Sequence, residues 1–165
     1  MARRAFYSFH YTLDSWRASQ VRNMGVVEGN RPAMDNDWEK IKRGGDKAIQ
    51  KWIDDQLWGK SVAIVLIGEK TAGRKWINYE IEAAWLYGKG LLGIHVHDLK
   101  DQQGTAALKG RNPFEKISLD GVRMSDIVKT YDPTAWLFGS TYNNIKESLE
   151  DWIEEAIEIR GQYGK

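Results

Sequence analysis

The chain has 165 residues, enough for one ordinary domain, so residues 1–165 are predicted to form a single domain. It has no cysteine, which excludes disulfides, thiolate zinc sites, iron–sulfur clusters and a thiol nucleophile. With 24 Lys+Arg against 23 Asp+Glu, the balanced charge argues against a nucleic-acid or anionic-membrane surface. The longest aliphatic run, residues 62–67, is far shorter than the roughly 20 residues of a membrane span, and no apolar signal sequence is recognisable. A cytoplasmic location is expected.

The first part of the chain alternates between strand and helix patterns. Residues 4–9 and 26–27 are predicted strands, and they flank a helix predicted over residues 14–24 with Trp16 in the core. A long polar stretch over residues 29–45 follows, and a loop of this length often carries function.

The pattern continues to the C-terminus. In chain order it predicts a helix over residues 46–58, a strand over 61–67, a helix over 73–87, a strand over 91–96, an irregular segment over 102–129 and an amphipathic helix over 143–160. This alternation predicts an α/β fold with a mostly parallel central sheet and helices on both faces. Ligands of such folds bind at the carboxyl ends of the strands, which directs attention to residues after positions 9, 27, 67 and 96.

Two motifs carry weak signals for chemistry. The triplet Gly59-Lys60-Ser61 resembles the end of a phosphate-binding loop, but it precedes a strand and lacks the upstream glycine, so that function is rejected. His95 and His97 end a strand, alternate onto one face and precede Asp98, which is a geometry that could hold a metal. Without a third obvious ligand, hydrogen-bonded histidines are the favoured interpretation, and no metal site is predicted.

The helix over residues 73–87 carries the strongest candidate. Trp76 and Glu80 are four residues apart and share one flank, and Glu80 borders the apolar stripe of Ile77, Ile81 and Ala84. Glu82 lies on the opposite flank. A shielded carboxylate can stabilise an oxocarbenium-like transition state, and an indole can stack on a planar base. The alternative from periodicity alone is a surface glutamate beside a tryptophan at the edge of the core.

These residues resemble a known family. The opening Arg4-Ala5-Phe6-Tyr7-Ser8-Phe9-His10-Tyr11 resembles the first strand of TIR domains, and the continuation through Arg22 and Asn23 resembles the ThsB-like proteins of the bacterial Thoeris anti-phage system. The run from Trp76 to Glu80 is similar to the family's third helix, in which a tryptophan precedes the catalytic glutamate by four positions.

The resemblance implies a flavodoxin-like TIR fold and an enzyme that cleaves NAD as its substrate, releases nicotinamide and needs no cofactor. The ADP-ribose part would become a signal nucleotide, generally a cyclic ADP-ribose isomer, that activates a ThsA-like effector. Carried over by position, Glu80 would be catalytic, Trp76 would stack on a base or a neighbouring subunit, and Ser8, Phe9 and His10 would line the pocket. The loop that includes Trp38 would control access and assembly. A phage-derived trigger and a homo-oligomer are further expectations.

Two other functions remain open at this point. Some TIR domains are adaptors without activity, so a non-catalytic interaction module is one alternative. Nucleoside deoxyribosyltransferases share the architecture and also use a glutamate on glycosidic bonds, which makes such an enzyme the other.

Overall fold

A computed structural model describes residues 3–26, 28–29, 40–136 and 139–164. The strands of its central sheet are β1 (Arg4–Ser8), β2 (Glu28–Gly29), β3 (Val62–Ile67), β4 (Gly90–His95) and β7 (Lys129–Tyr131), and a separate hairpin contains β5 (Ser118–Leu119) and β6 (Val122–Arg123). The helices are α1 (Tyr11–Arg22), α2 (Gly45–Leu57), α3 (Lys75–Leu86) and α4 (Thr141–Gly161), with a 3₁₀ turn at Met124–Asp126. Residues 40–43 are also helical.

The central sheet has five strands in the order β2-β1-β3-β4-β7, and every neighbouring pair is parallel. This is the doubly wound order of flavodoxin-like folds, so the predicted α/β class is confirmed. β3 lies at the centre, and all six of its residues are buried, as its unbroken aliphatic sequence predicts.

Two hydrophobic layers cover the two faces of this sheet. Val62, Ile64 and Leu66 of β3 pack with apolar residues of α1 and α4, whereas the alternate residues Ala63 and Val65 face α2 and α3. The predicted apolar stripes of the three later helices all face these layers, because each repeats at helical spacing. None of the described helices is long and apolar enough to span a membrane.

Helix α1 corrects one prediction. It begins at Tyr11, three residues before Asp14, because the His10 side chain accepts a hydrogen bond from the Leu13 amide at 3.3 Å and caps the helix. Trp16 is 47% exposed and therefore is not a core residue. The inward face of α1 carries Ala18 and Val21, as apolar residues should lie, and beside them the polar pair Asp14 and Arg17.

The segment predicted to be irregular, residues 102–129, contains the β5–β6 hairpin, the 3₁₀ turn and the start of β7. Asp120 and Gly121 join the hairpin strands with φ angles of +53° and +78°, which is typical of a two-residue turn with left-handed backbone. The second strand lies at Glu28–Gly29, slightly later than the predicted residues 26–27. Part of the predicted loop is helical, at residues 40–43, and the rest of it, with Trp38, lies outside the described residues.

Candidate functional site

Glu80 lies on the inner face of α3, the helix that follows the central strand. Its neighbours on this face, Ile77, Ile81 and Ala84, pack against the sheet, and they carry Glu80 into the interior with only 8% of its surface exposed. Glu82, two residues later, points to solvent. The predicted shielding of Glu80 is therefore present, and the alternative of a surface glutamate is wrong.

Burial makes the Glu80 carboxyl a much weaker acid than an ordinary glutamate. Desolvation raises the pKa of Glu80 from its ordinary value of 4.5 to about 8, because the charged form loses its hydration. The Ser8 hydroxyl faces the carboxyl and offsets part of this rise. Neither Ser8 Oγ nor Glu80 Oε2 completes a hydrogen bond within the part of the chain that the structure describes. A buried polar atom without a partner is uncommon and calls for an explanation, such as a ligand.

A narrow cleft reaches Glu80 along the edge of β1. Strand β2 pairs only with Arg4 and Ala5, so the following residues of β1 have no strand beside them on that edge among the described residues. The enclosed part of the cleft is about 10 Å³, close to the space that one water molecule needs. Its lining is mostly aromatic: Phe6, Tyr7, Phe9, Tyr11, Arg22, Trp52 and Glu80.

The carboxyl end of β1 adds His10 and a group of charges. Burial lowers the pKa of His10, and the positive charges of Arg74 and Lys70 lower it further, which places both cations near this imidazole. Arg74 is also the residue that precedes the first turn of α3. An imidazole and two cations thus lie at the carboxyl end of β1, the edge of the sheet where ligands bind in this class of fold.

Comparison with known proteins assigns this arrangement to a family. The family model "Thoeris protein ThsB, TIR-like domain" matches residues 6–101, the part of the chain that holds the cleft, Glu80 and both neighbouring cations. The chain belongs to the ThsB TIR-like family. It is also 38% identical over 122 residues to "Putative cyclic ADP-D-ribose synthase ThsB1" of Bacillus cereus (strain MSX-D12). That match covers 71% of this chain and 64% of the relative, so the chain spans less than two thirds of the curated relative's length.

The structure brings together some of the predicted site residues of this family member. Ser8 and Phe9 are buried beside the cleft, His10 caps α1, and Phe9 stacks on Tyr11 with ring centroids 4.7 Å apart. Trp76 does not line the cleft; it contacts Tyr79 edge-on and receives the Lys75 ammonium over its ring. Its substrate-binding role stays a prediction, as does that of Trp38.

Trp52 is the aromatic residue that sequence reasoning missed at the cleft. Its helical spacing predicts the apolar face of α2, where it is partly buried, yet Trp52 also lines the cleft that holds Glu80. Helical spacing places Trp52 correctly on the inward face, but spacing alone does not indicate that the edge of this face opens into a cleft.

A second buried carboxyl lies close to this site. Asp14 Oδ1 accepts a hydrogen bond from Arg17 Nη1 at 3.1 Å, and both side chains are almost fully buried. Arg17 also donates to the carbonyl oxygens of Leu99 and Thr105, at 2.7 and 3.0 Å. Gly68, at the end of β3, touches the Asp14 carboxylate so closely that any side chain there would overlap it. The three-residue spacing of Asp14 and Arg17 is the signal that could have indicated this pair.

His95 and His97 differ from the favoured sequence interpretation. Both imidazoles lie on one face, as predicted, with ring centroids 5.8 Å apart, and both are more than nine-tenths buried. Within the described part of the chain, however, Nδ1 of each ring lacks a hydrogen-bond partner. At these two atoms the expected hydrogen bonds are therefore missing from the described part of the chain.

Proposed function

We propose that this chain cleaves the bond between nicotinamide and ribose in NAD and converts the remaining ADP-ribose to a signal nucleotide of the cyclic ADP-ribose type. The observation that carries the proposal is Glu80, a buried carboxyl without a hydrogen-bond partner at Oε2, aligned with the glutamate that the resemblance makes catalytic. The printed name of the Bacillus cereus relative, a cyclic ADP-D-ribose synthase, supports the class of product.

The chemistry needs an anion beside the sugar. When the bond between ribose C1′ and the pyridinium nitrogen breaks, its electron pair goes to the nitrogen, nicotinamide leaves as a neutral molecule, and the ribose acquires oxocarbenium character. An ionised Glu80 would stabilise this positive charge and accept hydrogen bonds from the ribose hydroxyls. Attack on C1′ by a nucleophile of the same molecule closes a ring, whereas attack by water gives ADP-ribose.

The protonation state of Glu80 fits a substrate-dependent activation. With a pKa of about 8, the carboxyl is mostly protonated at neutral pH in the free protein. The pyridinium ring of NAD carries a positive charge, and a cation at close range favours the ionised carboxylate. NAD would therefore promote the ionisation that its own cleavage requires.

Substrate binding uses the cations and aromatic rings at the carboxyl end of β1. Arg74 and Lys70, both exposed beside His10, are suited to hold the diphosphate. Ser8, Phe9 and His10 would contact the nicotinamide ribose, while Trp76 and Trp38 remain candidates for contact with a base or a neighbouring subunit. Since the enclosed cleft has room for about one water molecule, its lining side chains must move apart to admit a nucleotide.

The biological role proposed here follows the family. The product would diffuse to a ThsA-like effector and activate it, in a cytoplasmic anti-phage response that a phage-derived trigger and homo-oligomer formation switch on. NAD is the substrate in this scheme, and no further cofactor is required.

The proposal is tested by incubating the purified chain with NAD, with and without lysate of phage-infected cells. Nicotinamide release and the mass of the nucleotide product are followed. Glu80→Gln keeps the shape of the side chain but loses the charge, and we expect it to lower turnover at least about 100-fold. Glu82→Gln is the matched control, because Glu82 is exposed on the same helix, and it should retain wild-type turnover.

An active Glu80→Gln variant would exclude Glu80 as the catalytic group. Turnover of deoxynucleosides but not of NAD would instead support a deoxyribosyltransferase. If neither substrate is consumed under any condition and a partner pulldown survives Glu80→Ala, a non-catalytic interaction module is favoured.

A further inference from the structure

A second cluster of chemically reactive side chains lies at the far side of the sheet, where β4 and β7 end. In the register of these strands Ile94 pairs with Tyr131, so His95 and Asp132, the next residues of each chain segment, lie side by side. His97 and Asp98 follow directly after β4. β3 separates this end of β4 from β1 and its cleft, so the cluster is distinct from the Glu80 site.

Three of these residues converge on one point. His97, Asp98 and Asp132 each offer a ligand atom, and these atoms all lie within 4.8 Å of one another. His97 Nε2 and Asp98 Oδ1 are 3.5 Å apart. Ligands that bind a tetrahedral Zn²⁺ at 2.0–2.2 Å are separated by roughly 3.4 Å, so this pair already has the spacing of two ligands of one ion. Asp132 lies within 4.8 Å of both ligand atoms and completes the set of three.

The imidazoles supply an independent indication of a ligand. His95 and His97 are 6% and 8% exposed, and Nδ1 of each lacks a partner among the described residues. Buried side-chain nitrogens normally have a hydrogen-bond partner. His97, one of these two buried imidazoles, is itself a member of the cluster that could hold an ion.

Lys109 occupies the place that a cation would take. Its ammonium lies 2.8 Å from Asp132 Oδ2, and the Lys109 and Asp132 side chains are 55% and 39% exposed. Exposed ion pairs contribute little to stability, so a divalent ion could displace the ammonium at little cost. An ammonium and a metal ion compete for the same carboxylate because both are attracted by its charge.

We propose that His97, Asp98 and Asp132 form a binding site for a divalent transition-metal ion of the Zn²⁺ type, with Lys109 as its built-in competitor. An imidazole and two carboxylates suit Zn²⁺ better than Mg²⁺, which prefers oxygen ligands only. The bound ion would join the end of β4 to the end of β7 and close the fourth position with water. This site is independent of the proposed NAD cleavage.

The test is isothermal titration of the full, metal-stripped chain with ZnCl₂ and with MgCl₂, and Co²⁺ absorption spectra as a second readout of coordination. We expect Zn²⁺ to bind with one-to-one stoichiometry in preference to Mg²⁺. Asp132→Asn and His97→Ala should weaken binding at least tenfold. Lys109→Met should strengthen it severalfold, because the competing ammonium is lost, and this exposed position leaves the fold intact.

Asp120→Asn is the matched control, since this exposed aspartate lies in the hairpin turn and outside the cluster. Zn²⁺ binding that is absent, equal in Asp132→Asn and Asp120→Asn, or weaker in Lys109→Met would overturn the proposal. Preferential binding of Mg²⁺ would overturn the assigned class of ion. Circular dichroism of each variant checks that it is folded.

Discussion

Asp14 and Glu80 are two buried carboxyl groups in the same part of the molecule, but their surroundings are opposite. Asp14 is 1% exposed and Glu80 8%. Burial raises the pKa of both, yet only at Asp14 does a guanidinium, that of Arg17, oppose the rise. Among the described residues, the Ser8 hydroxyl is the group that opposes the rise at Glu80, and no cation does so. One carboxyl is thus compensated within the fold, and the other is not.

The difference separates a structural carboxylate from one that is available to a ligand. Arg17 connects Asp14 to the carbonyl oxygens of Leu99 and Thr105, so this pair fixes the chain segment that follows β4. Glu80 fixes nothing of this kind and retains an unpartnered oxygen. Uncompensated buried groups cost stability, and they cluster at functional sites. The following predictions test whether the two carboxyls differ in this way.

Removal of the cation from the compensated site should have the largest effect. We expect Arg17→Met to lower the free energy of unfolding by about 3–5 kcal/mol, because it leaves the Asp14 charge buried and two carbonyl oxygens unpaired. Urea denaturation measures the change. Arg43→Met, at an exposed arginine, is the matched control and should change stability by less than about 0.5 kcal/mol. Equal losses in both variants would show that the buried pair contributes nothing.

Removal of the uncompensated carboxyl should instead raise the free energy of unfolding. The pKa of Glu80 is about 8 in the folded chain, compared with its ordinary value of 4.5. The carboxyl therefore binds a proton more tightly in the folded chain than in the unfolded chain. The contribution of Glu80 to the free energy of unfolding is therefore fully present below about pH 4.5 and is lost as pH rises through 8. Relative to wild type, Glu80→Gln should gain stability across this window, on the order of 4–5 kcal/mol at its upper end.

Thermal denaturation of both proteins from pH 5 to pH 8.5 checks this prediction. Glu82→Gln serves as the reference, because Glu82 is exposed on the same helix. A stability difference between Glu80→Gln and wild type that does not change with pH would show that Glu80 is ionised in the folded protein.

The activity proposed for Glu80 should rise with pH. If the ionised form is the catalytic one, kcat/KM for NAD should rise about tenfold per pH unit below the pKa of about 8 and level off above it. Between pH 6 and pH 8 this is a change of about 50-fold, because half of the carboxyl is ionised at its pKa. Initial rates of nicotinamide release at low NAD concentration measure it. A profile that falls over this range would assign Glu80 the role of a general acid instead.

The sequence predicts the uncompensated site better than the compensated one. Glu80 stands beside Ile77, Ile81 and Ala84 on α3, and their helical spacing predicts both the inward face and the shielding of the carboxyl. Asp14 and Arg17 also face inward, but as polar residues they break the apolar pattern of α1. An apolar stripe along α1 therefore predicts Trp16 in the core, whereas its side chain faces outward.

Other elements were missed because their stability comes from distant contacts. β7 has only three residues, and it is held by pairing with β4 and by Tyr131, whose ring stacks on Trp152 of α4 at 4.2 Å. No local pattern of three residues indicates a strand. The β5–β6 hairpin, in contrast, carries a local signal in Asp120–Gly121, a pair that strongly favours a two-residue turn.

Replacement of Ser8 should have the smallest effect of these substitutions. It is a specific test, because among the described residues the Ser8 hydroxyl offsets the effect of burial on the pKa of Glu80. Ser8→Ala should raise the pKa of Glu80 further and move the rise in kcat/KM to higher pH. At pH 7 we expect a loss of about twofold to fivefold, because a weak polar contact with the carboxyl is removed. Ser19→Ala, which removes an exposed hydroxyl that donates to the Trp16 carbonyl, is the control. Since the plateau belongs to the ionised enzyme, the two variants should converge at high pH. A loss that is equal at every pH would mean that Ser8 binds substrate without acting on the charge of Glu80.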